Sequence, residues 1–198
     1  MENENYLIGV DEVGRGCVAG PIVAAACLSR GLENEDEVLK LVKDSKKLTA
    51  KKREELFELL KNNFIWAYAE IDGQEIDKIG IQPANCLVVE RAVEKLILQL
   101  ENFEGKILAD HIGGAQNYVK NKKIEFHIKG ESKFSIIAAA SILAKVYRDN
   151  LLMNLGEKYS KYNFSQHKGY GTKEHLELIA KHGVSDLHRI SFLKKYLK

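Results

Sequence analysis

Two β-rich segments near the N-terminus, separated by glycines, restrict the architectures open to this 198-residue chain. Residues 6–13 (YLIGVDEV) alternate in polarity, and residues 20–28 (GPIVAAACL) form an apolar run. This pattern predicts a hairpin with the glycine-rich stretch at or near its turn. Further strands are predicted over residues 64–71, 106–110 and 123–128. A sheet is therefore the organising element of the expected fold.

Amphipathic segments predict the helices that cover this sheet. They span residues 48–63, 83–100, 132–152 and 172–182. Thr49 is a plausible N-cap for the first of them, and Pro83 suits the first turn of the second. The small residues 138–141 would permit close packing against a sheet. Strands that alternate with helices indicate an α/β domain with a mixed sheet.

Composition excludes several classes of protein. Apolar residues make up 45% and charged residues 29%, as in an ordinary globular domain. Neither a membrane-spanning run nor a signal peptide is evident, so we expect no membrane association. Cys17, Cys27 and Cys86 lie far apart without a C-x-x-C pair. This spacing favours neither a disulfide framework nor a zinc site, and we expect a reducing cytoplasm.

The net charge of +2 conceals a basic C-terminal region. Residues 158–198 contain nine Lys or Arg against three acids, a net charge of +6, and four of the six histidines. A solvated surface is one interpretation of this excess. A face that binds a phosphate backbone is the other.

The glycine-rich stretch partly fits a dinucleotide-binding fingerprint. Gly14, Gly16 and Ala19 match G-x-G-x-x-A after a predicted strand. That motif requires a helix whose N-terminus receives the pyrophosphate, whereas a second strand is predicted here. Asp11 and Glu12 would also repel a bound pyrophosphate. The context therefore argues against a nucleotide cofactor.

Acids at the ends of apolar strands favour a different site. Asp11 and Glu12 close one strand, and Asp110 closes KILAD. If the two strands are parallel neighbours, their acids emerge at one sheet edge, where α/β proteins bind ligands. A solvated strand end is the alternative for any one of these acids.

Asp149 lies at the end of a predicted helix, on the same face as Lys145. A surface ion pair between the two is the plain interpretation. If Asp149 instead converged with the strand-end acids, the cluster would bind hard divalent cations. Two such ions about 4 Å apart can promote phosphodiester cleavage.

Five ordered motifs resemble the type 2 ribonuclease H family, specifically bacterial ribonuclease HII. They are GVDEVGRGCVAGPIVAAA, DSKKLT (44–49), ILAD (107–110), IAAASILAKVYRD (137–149) and HKGYGT (167–172). The resemblance implies a ribonuclease H-like fold, with a five-stranded mixed sheet flanked by helices and a C-terminal helical segment. It implies a catalytic domain over residues 1–157, with residues 158–198 packed on it as a basic helical segment.

The resemblance also implies an activity. It is hydrolysis of RNA in RNA–DNA hybrids, and cleavage 5′ to single ribonucleotides in duplex DNA, leaving 3′-hydroxyl and 5′-phosphate ends. The implied cofactor is Mg²⁺ or Mn²⁺ in a two-metal mechanism. The implied catalytic, metal-binding carboxylates are Asp11, Glu12, Asp110 and Asp149.

Substrate contacts are implied at Gly14, Arg15, Gly16, Ser45, Lys46, Lys47 and Tyr170. The Gly-Arg-Gly element would sense the ribose 2′-hydroxyl through its backbone, because glycines allow close approach and that hydroxyl distinguishes RNA from DNA. Tyr170 would stack on the deoxyribose that follows the ribonucleotide; an ordinary core or surface tyrosine is the alternative. The Ser-Lys-Lys segment would meet phosphate, or its lysines are simply solvated.

Three positions depart from the family pattern without removing an implied metal ligand. Cys17 replaces a common proline, Glu131 a frequent aspartate and His111 a usual glycine. Arg15 and Asp149 favour ribonuclease HII over ribonuclease HIII, which has a Gly-Lys-Gly element and a glutamate as its fourth acid. That branch also typically carries an extra N-terminal domain, whereas the first predicted strand lies close to the start of this sequence. A ribonuclease HIII-like hybrid nuclease and a non-catalytic nucleic-acid-binding module remain the alternatives.

The expected partner is an RNA–DNA hybrid or duplex DNA that contains ribonucleotides, bound by a monomer. The sequence does not predict a sliding-clamp contact, because ISFLKKYL near the C-terminus matches a clamp-docking motif too loosely to count as one.

Overall fold

The computed structural model describes residues 6–42, 49–194 and 196. Within these ranges the strands are β1 (Leu7–Val13), β2 (Ile22–Ser29), β3 (Ile65–Ile71), β4 (Lys106–Asp110) and β5 (Ile124–His127). They form a five-stranded sheet in the order β3-β2-β1-β4-β5. β1 runs antiparallel to β2 and parallel to β4, while β3 is antiparallel to β2 and β5 parallel to β4. The predicted hairpin and mixed sheet are confirmed.

Helices connect and cover these strands. They are α1 (Glu33–Val42), α2 (Ala50–Asn63), α3 (Gly73–Ile79), α4 (Ile81–Ile97), α5 (Gly130–Lys133), α6 (Ser135–Lys158), α7 (Phe164–His167), α8 (Lys173–His182) and α9 (Ile190–Leu193). The four predicted helices correspond to α2, α4, α6 and α8. The sequence pattern did not predict α1, and α6 continues six residues beyond its predicted end.

Local chemistry explains where the predicted helices begin. The Thr49 hydroxyl accepts a hydrogen bond from the Lys52 amide at 3.3 Å, so Thr49 caps α2 as predicted. α4 begins at Ile81, two residues before Pro83, which lies in its first turn as expected. Gly80, with φ of +86°, precedes this helix in a conformation that favours glycine.

The sheet is covered on both faces. Even-numbered residues of β1 and β2 pack with α4 in one core, and α1, α2 and α6 pack on the other face. Gly9 faces α6, and a Cβ there would overlap the Ile136 carbonyl. The glycine therefore allows α6 to lie directly against β1, which brings the helix close to the end of that strand.

A third apolar cluster joins the C-terminal segment to the β1–β2 loop (residues 14–21). Phe164, Ile179 and Leu193 pack with Val18 and Ala19 of this loop, and all five are buried. Among the residues that the structure describes, no helix is long and apolar enough to cross a bilayer. The C-terminal segment thus packs directly on the glycine-rich part of the chain.

Candidate active site

The strand-end acids meet at one edge of the sheet. Val10 pairs with Ala109 where β1 and β4 run parallel, so Asp11 and Asp110 leave neighbouring strands at the same level. The sequence predicted this convergence on the condition that the strands were parallel, and the register meets that condition. β1 itself continues to Val13 through its pairing with β2, so its acids lie within the strand rather than at its last residue.

Asp11 and Glu12 lie on opposite faces of the sheet, as expected for consecutive strand residues. Asp11 is 8% exposed and hydrogen-bonds with the Ser141 side chain on α6. One oxygen of the Asp11 carboxylate also accepts from the Glu12 amide at 2.9 Å. Glu12 accepts from the Asn85 side chain on α4 at 3.2 Å. Each acid is therefore oriented by the helix that covers its own face.

Burial and mutual repulsion act on the ionisation of this pair. Burial, followed by the negative charge of Glu12, raises the pKa of Asp11 well above its usual range. Burial likewise raises the pKa of Glu12, and the charge of Asp110 adds to both shifts. The three carboxylates thus form a patch whose negative charge the surrounding protein does not fully neutralise.

Asp110 is held by a glycine that the sequence did not single out. The Gly130 amide donates to the Asp110 carboxylate at 2.7 Å. A Cβ on Gly130 would lie 2.8 Å from the Ile137 side chain and 3.2 Å from the Ala109 carbonyl. An alanine at position 130 would therefore require the tip of the Ile137 side chain and the nearby Ala109 backbone to shift. Its signal, a lone glycine after a short strand, is too common to be diagnostic.

Asp149 lies on α6 and forms an ion pair with Lys145. The Lys145 ammonium lies 2.8 Å from Asp149 Oδ1, which is the ion pair that its helical spacing indicated. The Asp149 charge also acts on Tyr170. Within residues 6–42, 49–194 and 196, no group of three or more His, Cys, Asp or Glu side chains is arranged to hold a metal ion. The three strand acids act on one another electrostatically, whereas the contacts of Asp149 are with Lys145 and Tyr170.

The Gly-Arg-Gly element forms the start of the β1–β2 loop, with Gly14 buried. Gly14 adopts φ of +89°, and a Cβ there would overlap the Arg148 guanidinium. Arg15 and Gly16 are exposed, and the Arg15 side chain donates to Gln82 at 2.9 Å. A Cβ at Gly16 would meet open space. The backbone at this turn is thus accessible to a large ligand.

Two fully buried arginines, which the sequence analysis did not identify, hold the rest of this loop. Arg148 donates to the carbonyls of Ala19 and Pro21 at 3.2 and 2.8 Å. Arg189 donates twice to the Gly20 carbonyl, at 2.8 and 3.0 Å, and once to that of Arg15 at 3.1 Å. An arginine inside the apolar helix α6 was the available signal, since buried arginines require partners.

Tyr170 lies beside this loop and beside Asp149. Its side chain is 41% exposed, so its ring can receive a ligand. The hydroxyl hydrogen-bonds with the Cys17 thiol, and the Lys145 ammonium lies 5.6 Å from the ring centroid. The predicted contacts at Ser45, Lys46 and Lys47 fall outside the described residues.

Comparison with known proteins identifies the family of this chain. The sequence profile of the family described as Ribonuclease HII matches residues 8–195. The chain is 41% identical to a ribonuclease HII of Caldicellulosiruptor bescii, over 99% of this chain and 90% of that protein.

Solved structures give the same answer for the fold. The crystal structure of ribonuclease H2 from Pyrococcus horikoshii superposes with a TM-score of 0.76 at 27% identity, over 96% of each chain. Ribonuclease HII from Archaeoglobus fulgidus, solved in a complex with PCNA, gives 0.73 at 26% identity, over 93% of each chain. The expected ribonuclease H-like fold is confirmed. The chain therefore belongs to the ribonuclease HII family, endonucleases of the ribonuclease H type 2 class.

Proposed function

We propose that this enzyme cuts duplex DNA on the 5′ side of single embedded ribonucleotides, in addition to hydrolysing the RNA strand of hybrids, and leaves 3′-hydroxyl and 5′-phosphate ends. One observation supports this proposal above the others. A partly buried carboxylate patch, formed by Asp11, Glu12 and Asp110, lies next to a glycine-containing turn that is exposed at Arg15 and Gly16. Cleavage chemistry and sugar recognition would then occupy adjacent positions.

The residues present fit a hard divalent cation. Their donor atoms are carboxylate oxygens, which Mg²⁺ and Mn²⁺ prefer. Asn85 Oδ1 is buried beside Glu12 without a hydrogen-bond partner among the described residues. Burial raises the pKa of both Asp11 and Glu12, so nearby positive charge would favour their ionised forms.

We assign the ligand role to Asp11, Glu12, Asp110 and Asp149. Two bound ions would supply the charge that activates a water and stabilises the leaving oxygen. The Lys145 contact engages Oδ1 of Asp149 and leaves Oδ2 outside that ion pair. Ser141, Asn85 and Gly130 then act by orienting the carboxylates.

The Gly-Arg-Gly turn and Tyr170 would select the substrate. The exposed backbone at residues 15 and 16 can approach a sugar closely, and a 2′-hydroxyl both donates and accepts hydrogen bonds. The half-exposed Tyr170 ring offers a flat surface for the neighbouring deoxyribose. We further propose that the enzyme acts as a monomer in the cytoplasm.

The experiment that tests this function uses an end-labelled DNA duplex with one embedded ribonucleotide. We expect cleavage at one position with Mg²⁺ or Mn²⁺ and none with EDTA. The same duplex with the 2′-deoxy nucleotide should remain intact. Extension of the upstream product by a DNA polymerase would verify the 3′-hydroxyl end. Cutting of the all-DNA duplex would refute the role of residues 14–16, and binding without cleavage would indicate a non-catalytic module.

A further inference from the structure

Three histidines of the C-terminal segment are buried rather than exposed to nucleic acid. His167, His175 and His188 are 7%, 0% and 2% exposed, respectively. Burial lowers the pKa of His175 and of His188 to about 4, so both rings are neutral at neutral pH. They add nothing to the basic face that the composition of residues 158–198 indicated. Their contacts lead instead to Tyr170.

Hydrogen-bond donors and acceptors define one protonation pattern for two of these rings. The Ser185 amide donates to His188 Nδ1 at 2.9 Å, so this nitrogen is an acceptor and the proton of neutral His188 lies on Nε2. His188 Nε2 then donates to His175 Nε2, 3.1 Å away. The proton of His175 is therefore on Nδ1, which donates to the Tyr170 carbonyl at 2.9 Å.

The third histidine supports the same turn. His167 Nε2 lies 2.6 Å from the Tyr162 carbonyl, and its Nδ1 accepts from the amide of Gly169, the residue before Tyr170. The His167 ring stacks on His175 with centroids 3.9 Å apart. Both the amide before Tyr170 and the carbonyl of Tyr170 are thus bound to imidazole nitrogens.

The same histidines connect Tyr170 to the β1–β2 loop. His188 forms a β-bridge with Ala19 of that loop. The Arg189 amide donates to the Val18 carbonyl, and the Gly20 amide donates to the Leu187 carbonyl, both at 2.8 Å. Residues 187–189 therefore bind the loop through their backbone and bind the Tyr170 turn through the His188 side chain.

We propose that His175 and His188 are positioning residues for Tyr170, which hold its ring in the place where it meets the substrate and link it to the β1–β2 loop. This inference rests on the substrate-binding role proposed above for Tyr170. A ring already held by its neighbours loses less conformational freedom when the substrate binds. Disruption of the hydrogen bonds of His175 and His188 should therefore weaken substrate binding more than it slows the chemical step.

Two substitutions of His175 provide a matched test. In His175→Asn, the side-chain amide nitrogen can occupy the place of Nδ1 and still donate to the Tyr170 carbonyl. In His175→Gln, the amide nitrogen lies one methylene farther from the backbone and no longer matches the position of Nδ1. With the single-ribonucleotide duplex, we expect His175→Gln to lower kcat/KM about fivefold, mainly through KM, as for one lost hydrogen bond. His175→Asn should recover most of this loss. His182→Gln, on the exposed end of α8, is the control and should match the wild type.

A double-variant comparison separates positioning from general stability. Each variant is first checked for a cooperative thermal transition. In a Tyr170→Ala background, His175→Gln should cause no further loss, because the residue through which it acts is gone. A loss of the same factor in both backgrounds would overturn the inference. If Tyr170→Ala itself left kcat/KM unchanged, the proposed role of Tyr170 would be wrong. A harmful Tyr170→Ala with a neutral His175→Gln would refute the histidine chain alone.

A measurement on the unaltered protein does not depend on activity. ¹⁵N NMR of the histidine rings should report His175 with its proton on Nδ1 and His188 with its proton on Nε2 at pH 7. The reverse tautomers, or charged rings at that pH, would refute the hydrogen bonds assigned to His188 and His175.

Discussion

At the scale of single residues, Asp11 lies where an ionised side chain destabilises the metal-free fold. It is buried, and the charge of Glu12 raises its pKa together with that burial. The folded protein therefore favours protonated Asp11, and ionisation at neutral pH costs free energy. A bound cation would reverse this balance, because it stabilises the ionised form.

Asp11→Asn should consequently separate stability from activity. We expect the melting temperature in EDTA to rise, since a buried charge and its repulsion by Glu12 are removed. Cleavage should fall at least about a hundredfold, because the variant lacks a proposed metal ligand and such a ligand contributes several kcal/mol of transition-state stabilisation. Thermal unfolding and the labelled-duplex assay measure the two effects.

Metal titration provides the control for this variant. Added Mg²⁺ should raise the melting temperature of the wild type, because a ligand that binds only the folded state stabilises it. Asp11→Asn should respond much less. Equal Mg²⁺-dependent stabilisation of both proteins would contradict the assignment of Asp11 as a metal ligand.

Gly130 shows how a residue without a functional group can control a carboxylate. Gly130→Ala would bring a methyl group to 2.8 Å from Ile137 and displace the amide that binds Asp110. We expect about 1–3 kcal/mol lower stability, the usual cost of overpacking. We also expect weaker Mg²⁺-dependent activity. Urea unfolding and Mg²⁺ titration of the cleavage rate measure these changes.

Gly113→Ala is the matched control. A Cβ at Gly113 meets no atom within 4 Å, although the residue belongs to the loop that follows Asp110. This variant should behave as the wild type in both measurements. A comparable loss in Gly113→Ala would show that any added methyl near Asp110 is harmful and that the Gly130 amide has no special role.

At the scale of elements, the β1–β2 loop depends on helices that are distant in sequence. Arg148 of α6 and Arg189 just before α9 satisfy loop carbonyls that no strand partner reaches. The same helix α6 orients Asp11 through Ser141 and presents Asp149. The carboxylate patch and the glycine turn are therefore fixed to one helix.

Arg189→Met tests this dependence. It removes three hydrogen bonds and leaves the carbonyls of Gly20 and Arg15 without their buried donor. We expect stability to fall by about 3 kcal/mol, since each unsatisfied buried group costs about 1–3 kcal/mol. Activity on a single embedded ribonucleotide should fall as well, because the turn proposed to contact the sugar is no longer held.

Arg91→Met is the corresponding control on the surface. Arg91 pairs with Glu75, and both side chains are more than a third exposed. Its removal should cost less than about 1 kcal/mol and leave cleavage unaffected. Equal losses in the two arginine variants would argue against a special role for Arg189.

At the scale of the whole molecule, the buried histidines predict acid sensitivity. The pKa values of His175 and His188 in the folded protein are about 4, below the ordinary value of about 6.5 for histidine in an unfolded chain. The unfolded chain therefore binds protons first, and the histidines lower stability as the pH falls from about 6.5 to about 4. Below that range their contribution is constant.

A comparison of variants separates the histidine effect from that of Asp11 and Glu12. The raised pKa values of these two acids make the fold more stable, rather than less stable, as the pH falls. The stability of the wild type relative to His175→Asn should decrease between pH 6.5 and pH 4, as measured by urea unfolding at each pH. A difference from His175→Asn that stayed constant with pH would contradict neutral burial of His175.

Much of the fold was predictable because local signals agreed with it. The hairpin of β1 and β2, the Thr49 cap and the four predicted helices follow from periodicity and capping residues. The α1 helix was missed, although acids in its first turn were a readable signal. Asp11, Glu12 and Asp110 were noted because they follow apolar strand residues, and the resemblance to ribonuclease HII implied their role as metal ligands, which stays a prediction.

Other parts of the site depend on contacts between distant residues. The pairing of Val10 with Ala109 decides that Asp11 and Asp110 meet, and strand order is not encoded in either segment. Arg189 and three histidines belong to the C-terminal region that composition indicated as basic, yet they are buried. Arg148 and Arg189 bind backbone carbonyls of the β1–β2 loop. Local patterns of polarity and capping specified the elements and the chemistry-bearing residues. Only long-range packing decided which of them face one another, because burial and hydrogen bonding between distant segments arise when the chain folds as a whole.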